Sequence, residues 1–214
     1  MPDSCPVWSL DDLYAGVNSP ALKADMAECH EAAKQLETKW RGQLGEITAN
    51  QLIGVIKSYE TILERLGKVQ SHAQLLFAAD TNDAAIAKHH QSVREVGAEI
   101  GAALLFVELE LAKIDEDHMA ALLKASELKH FGPWLRRVRA MAPFQLSDEI
   151  EKMIAERSPT GSGAWVRLFD ETTTSMRFAF QGLEVTEAEI LDALSSTDPA
   201  KRKEAGHSLS TTLK

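Results

Sequence analysis

Apolar residues return every three or four positions through most of the chain, the spacing of one buried face on an α-helix. Leu22, Met26, Ala33, Leu36 and Trp40 set a first stripe over residues 21 to about 40. Asn18 and Ser19 stand before it with Pro20 at the first helical position, where a missing N–H costs nothing, and Gly42 closes it. A second stripe runs from Leu52 through Val55, Ile56, Tyr59, Ile62, Leu63, Leu66 and Val69 to Leu76. The pair Thr48 and Gln51 has capping-box spacing and opens a helix expected to reach about residue 79. Asn82 and Asp83 can cap a third, in which Ile86, Val93, Val96, Ile100, Leu104, Val107 and Leu111 step by three, four or seven. Gly97 and Gly101 are poor helix formers, so inside this stripe they predict places where another helix comes close. Ahead of all three, the first eighteen residues read as an extended arm carrying Trp8, Leu10, Leu13 and Tyr14.

Three helices of about 20 to 30 residues with short connections bury their stripes most simply as an antiparallel bundle. Shorter helices follow: one led by Asp115, one opened by Pro133, and one begun by a capping box at Ser147. The pattern changes at Ser158, where SPTGSG is the densest turn cluster in the chain. Beyond it, AWVRLFDETT reads as a short helix, residues 176–180 alternate, and Gln181 with Gly182 makes a turn from which residues 183–185 pair back. Thr186 and Glu189 form a capping box for a helix to about residue 194, and Asp198 with Pro199 opens the last one. That last helix meets no Gly, Asn or Pro stop before Lys214, and Lys201, Arg202 and Lys203 occupy its first turns against the helix dipole. The expectation is a chain interrupted there, by an artificial boundary or by proteolysis, with a frayed natural terminus as the alternative. The expected fold is mainly α: an antiparallel bundle of long helices, then shorter helices, with one small β-hairpin near residues 176–185. The expected division is 1–157 and 158–214.

Composition narrows the class. With 44% apolar and 26% charged residues, the chain is an ordinary globular mixture, which excludes a wholly disordered or collagen-like protein. The 23 Lys and Arg against 32 Asp and Glu leave a net charge of −9, which works against nucleic acid or an anionic bilayer as main partner. The N-terminus lacks the basic and unbroken apolar regions of a secretory signal. Its best membrane candidate, residues 96–111, is cut by Glu99, Glu108 and Glu110. Two cysteines, Cys5 and Cys29, are no disulfide framework, so a reduced cytoplasmic setting is expected.

The search for chemistry yields no expected catalytic or metal-binding residue. His30-Glu31-Ala32-Ala33-Lys34 approaches H-E-x-x-H, but Lys34 puts an ammonium where the second ligand belongs. His89 and His90 are adjacent, diverge by about 100° on a helix, and read as a polar face. His72, His118 and His130 have no partner at helical spacing. Glu204 precedes His207 by three, half of the carboxylate-bridged site of some metal bundles, which predicts stoichiometric metal if a twin exists. Glu95 and Glu99 share a face, and with Glu108 and Glu110 read as a solvated acidic face. Cys29 lies between Glu28 and Glu31, neighbours that disfavour a thiolate. TGSGAW lacks the spacing and Lys of a phosphate loop. Arg136, Arg137 and Arg139 after Trp134 read as a surface or salt-bridged patch in an acidic chain.

The ordered strings WSLDDLYAG, KSYETILERLGKVQSHAQLL, LLFVELELAKI, HFGPWLRRVR, LSDEIEKMIAERS and TGSGAWVRLFDET resemble the N-terminal part of oligoendopeptidase F, a zinc metallopeptidase of the thimet-oligopeptidase-like superfamily. The resemblance spans essentially the whole chain, most specifically residues 133–139 and 147–172. It implies a helical lobe over 1–157 that covers one side of a peptide-cleaving channel, and the first elements of a catalytic lobe from 158. The family's H-E-x-x-H motif has no counterpart in these 214 residues, so no catalytic or metal role is carried over, and the substrate-binding residues stay unassigned. The implied parent is a zinc-dependent endopeptidase acting on short peptides, with the C-terminal catalytic lobe as partner. The competing expectation is a freestanding helical peptide-binding module. A lobe without its partner is expected to expose Trp165, Phe169, Phe178 and Phe180, and to be able to pair with a second copy.

Overall fold

The computed structural model describes residues 8–81 and 83–214, so the expectations placed on Cys5 and Asn82 lie outside the described residues. The chain divides into two compact units, Met1–Pro159 and Thr160–Lys214. In the first, α1 (Pro20–Trp40), α2 (Ala49–Ala79) and α3 (Ala84–Lys113) are the long helices. Cys29 meets Ile62 and Glu28 meets Arg65, which sets α1 and α2 antiparallel. Tyr59 against Glu108 and Phe77 against His90 set α2 and α3 antiparallel as well. α1 and α3 consequently run the same way, with His30 facing Glu99 and Gly42 facing Glu110.

The caps follow from the sequence. Ser19 accepts from the Leu22 N–H, Gln51 reaches back to the Thr48 N–H at 3.0 Å, and Asp83 accepts from Ala85 and Ile86. Gly42, at φ 78°, leaves α1 in the left-handed region, and its N–H and that of Leu44 both donate to the Glu110 carboxylate. Glu110 therefore closes a helix end and is not part of a free acidic face. The main core gathers Leu44, Leu52, Ile56, Ile100, Leu111, Leu128 and Leu135, all essentially unexposed. At about 1.5–3 kcal/mol per buried aliphatic side chain, this stripe-to-stripe packing supplies most of the unit's stability.

Three shorter helices complete this unit: α4 (Glu116–Leu122), α5 (Ser126–Met141) and α6 (Asp148–Arg157). Several expectations are corrected here. Pro133 does not open a helix but lies inside α5. Its ring is exposed, so the hydrogen bond it removes is on the wet side, while Leu128, Leu135 and Val138 keep one buried face across it. Ser147 makes no side-chain cap bond, and the Glu151 carboxylate instead accepts from the Leu146 N–H at 2.9 Å. The paired glycines of α3 also separate. A Cβ on Gly97 would run into the Gln70 side chain, but one on Gly101 would meet nothing within 4 Å. Nor are the described residues of the arm extended, since the Leu13 and Tyr14 N–H groups both turn back to the Leu10 carbonyl.

The second unit holds α7 (Ser162–Ser175), strands β1 (Phe178–Phe180) and β2 (Leu183–Val185), α8 (Glu187–Ala193) and α9 (Pro199–Thr212). The strands pair antiparallel with Phe178 opposite Val185. Gln181 and Gly182 both have positive φ, 51° and 77°, as a two-residue hairpin turn with the right twist requires. Phe178 is 1% exposed at the centre of a small core with Ile190 and Ala205. It is thus corrected from an exposed residue to a buried one, because α9 packs on the strand and covers it. The architecture is mainly α with one small hairpin.

Candidate functional site

The histidines are where structure and sequence pattern part most. α2 brings His72 against Tyr14, and α3 brings His89 against His72. The Tyr14 ring meets His72 edge-on with centroids 5.4 Å apart, and His72 meets His89 edge-on at 6.4 Å. His72 is fully buried with the Tyr14 backbone as its nearest polar neighbour, and Nε2 of His89 is buried and unpartnered. Burial holds both rings below the ordinary histidine range, slightly opposed at His72 by the Tyr14 backbone and reinforced at His89 by His72. His90 is also buried and stacks on Phe77 at 4.7 Å. The reading of His89 and His90 as a polar face is corrected for His90, which α2 covers, while His89 stays partly exposed. No helical spacing within one segment links His72 to His89, and only their shared place on facing stripes could have hinted at it.

The remaining candidates are engaged structurally. His30 Nε2 lies 3.5 Å from Glu99, and His118 Nε2 lies 3.0 Å from the Ile47 carbonyl. Glu108 accepts from the Tyr59 hydroxyl, which with burial raises that phenol's pKa. Glu95 is bonded by Gln91. Glu204 accepts from the Gln181 N–H at 2.9 Å and so pins the hairpin turn. Arg139 ties α5 to the Ile114 carbonyl and to Glu116, and Arg202 donates to Ser196 and Thr197 carbonyls, which explains a cation near the start of α9. Cys29 is buried with its thiol pushed up by desolvation and directed at the Ile62 carbonyl, the opposite of an activated nucleophile. Among the described residues no group of three or more His, Cys, Asp and Glu is arranged to hold a metal ion, and the donor set around His30 does not fit zinc. No described helix is long and apolar enough to cross a membrane.

Two surfaces remain. A groove of about 440 Å³ lies between α1 and α2, lined by Leu36, Lys39, Trp40, Lys57 and Thr61. The other is the outer side of α6. This helix turns Asp148, Lys152 and Ala155 toward α3, with Asp148 paired to Lys113 at 2.6 Å, and leaves Ile150, Met153 and Ile154 at 43%, 48% and 51% exposure. Phe144 and Leu146, just before it, are exposed as well. In the second unit, α7 exposes Trp165 and Phe169, at 73% and 67%.

The described residues thus comprise a mainly helical unit that carries an outward apolar helix, and a small hairpin unit. The family model for Oligopeptidase F matches residues 110–178, a stretch that contains α4, α5, α6 and α7. Among solved structures, oligoendopeptidase-F from Enterococcus faecium is similar over 90% of this chain, with a TM-score of 0.78 and 18% identity. A protein from Chlamydophila abortus, described as a putative peptidase, matches over 94% with a TM-score of 0.51 and 16% identity. At these identities the structural likeness is one of fold. The chain spans 39% and 35% of the length of those two proteins. No curated protein matches the sequence. The resemblance to the N-terminal part of oligoendopeptidase F thus holds in sequence over 110–178 and in fold over nearly the whole chain.

Proposed function

We propose that these 214 residues are the N-terminal, non-catalytic part of a zinc-dependent oligoendopeptidase, a helical wall that restricts access to a channel where short peptides are cleaved. The observation that carries the reading is the reversed α6. A helix that faces its own bundle with Asp148, Lys152 and Ala155, and water with Ile150, Met153 and Ile154, has an apolar side suited to other polypeptide. This side falls inside the stretch that matches Oligopeptidase F. The zinc, its ligands and the reacting water belong, in this reading, to a catalytic lobe beyond Lys214, and the residues from Thr160 onward begin it. Oligopeptides are the substrate class, and the acidic chain with its free Cys29 thiol suits the reducing cytoplasm.

The test compares this chain with a version extended along its own reading frame. The reading predicts an H-E-x-x-H motif in the extension and at least tenfold slower backbone amide exchange in α6 once the extension is present. A stop codon directly after Lys214, or an α6 that exchanges equally fast in both, would overturn it in favour of a freestanding binding module.

A further inference from the structure

Between the inner side of α6 and the helices α2 and α3 lies a groove of about 350 Å³. Its volume falls at the low end of the range for small-ligand sites, about 300–1,000 Å³. The floor is made of small residues: Ala98 and Gly101 of α3 and Ala155 of α6. A Cβ on Gly101 would meet nothing within 4 Å, so the space above it is open. Three polar side chains reach the groove from three segments: Gln70 from α2, Arg94 from α3, and Ser158 just after α6. None of the three side chains makes a hydrogen bond or an ion pair among the described residues.

Arg94 is half-buried, and a guanidinium is always charged, with five N–H donors in one plane. Drawing it partly out of water with no partner costs free energy that an anion would recover. The carboxylates next to the groove in sequence are held elsewhere: Glu95 by Gln91, Glu99 by His30, and Glu156 by Lys152 at 3.9 Å. The Arg94 charge is accordingly felt at His90, where burial first and then that charge oppose a proton. The last carbonyls of α6 would repel an anion, but Arg157 in the same turn offsets them. One fixed cation matches a single negative charge, and a chain of net charge −9 works against a dianion such as a phosphate ester. A guanidinium takes a carboxylate through two parallel hydrogen bonds. The Gln70 amide and the Ser158 hydroxyl each donate and accept, as a neighbouring peptide group requires.

We propose that this groove holds the C-terminal carboxylate of a short peptide, with Arg94 on the carboxylate, Gln70 and Ser158 on the adjoining peptide group, and a small terminal side chain over Gly101. The choice of a peptide rests on the oligopeptide substrate class proposed above, whereas the carboxylate site rests on the groove itself. Binding here needs no metal and no hydrolysis, so the 214-residue chain alone carries it.

The experiment is an NMR titration of the full 214-residue chain with acetyl-trialanine, with its C-terminal amide, and with inorganic phosphate. The free acid is expected to shift the amides of Arg94, Gly101 and Ser158 and to bind at least tenfold more tightly than the amide. Arg94→Gln should weaken the free acid at least tenfold, and Gly101→Leu, which fills the floor and keeps the charge, at least threefold. Acid and amide that bind equally, phosphate that binds more tightly than the acid, shifts confined to other surfaces, no saturable binding of the acid, or variants that keep full affinity would overturn the site. If Arg94→Gln fails to fold, Gly101→Leu and the amide decide. An H-E-x-x-H motif beyond Lys214 without peptide binding here would defeat this inference alone, and peptide binding with a stop codon after Lys214 would defeat only the wall reading.

Discussion

α3 and α6 are both amphipathic, and they treat their apolar sides in opposite ways. α3 sinks Ile100, Leu104, Val107 and Leu111 between α1, α2 and α5 and leaves its polar residues to bond loops and neighbouring helices. α6 lays polar and small residues on α3, where a groove of about 350 Å³ is lined by Ala98, Gly101, Ala155 and Pro159, and leaves its isoleucines in water. The stripe along a helix states that a face will be covered. It does not state which polypeptide covers it, and α6 is the place where that distinction becomes visible.

The largest effect expected from this contrast is in α3. Leu111→Ala removes a side chain with no exposure, and should lower unfolding free energy by about 2–5 kcal/mol in urea denaturation. Ile154→Asp on α6 should change the same quantity by no more than about 0.5 kcal/mol, since Ile154 is 51% exposed. A loss from Ile154→Asp as large as that from Leu111→Ala would mean that α6 already has its cover.

A smaller effect distinguishes the two glycines of α3. Gly101→Ala places a methyl in open space and should stabilise the chain by about 0.5–1 kcal/mol through helix propensity. Gly97→Ala must push the Gln70 side chain aside and should gain less. Thermal melts of both variants order them, and an equal gain would show that Gln70 yields freely. Smallest of all is self-association: the exposed side of α6 should make the chain pair weakly at crystallisation concentrations, a trend that Ile154→Asp reduces. Light scattering that gives a monomer at every concentration would end that expectation.

Much of the fold was legible because local signals and tertiary packing agree. Ser19, Gln51, Asp83 and Glu189 cap the helices their spacing announced, and Gln181 with Gly182 turns the hairpin. Pro133 misled because its stop signal is local, while the buried row Leu128, Leu135 and Val138 holds the helix across it. Phe178 misled for the converse reason, since its cover comes from α9, more than twenty residues later. The candidate site was least legible. His72 and His89 belong to different helices, and their rings meet only because α2 and α3 pack together. No spacing rule within one segment encodes that.

The central claim is that this part of the molecule walls a channel and does not itself break peptide bonds. The most direct measurement is turnover of a quenched oligopeptide by the purified 214-residue chain with added zinc, beside the extended chain at equal concentration. The account predicts hydrolysis by the extended chain alone. Turnover by the short chain that disappears on zinc chelation would contradict it.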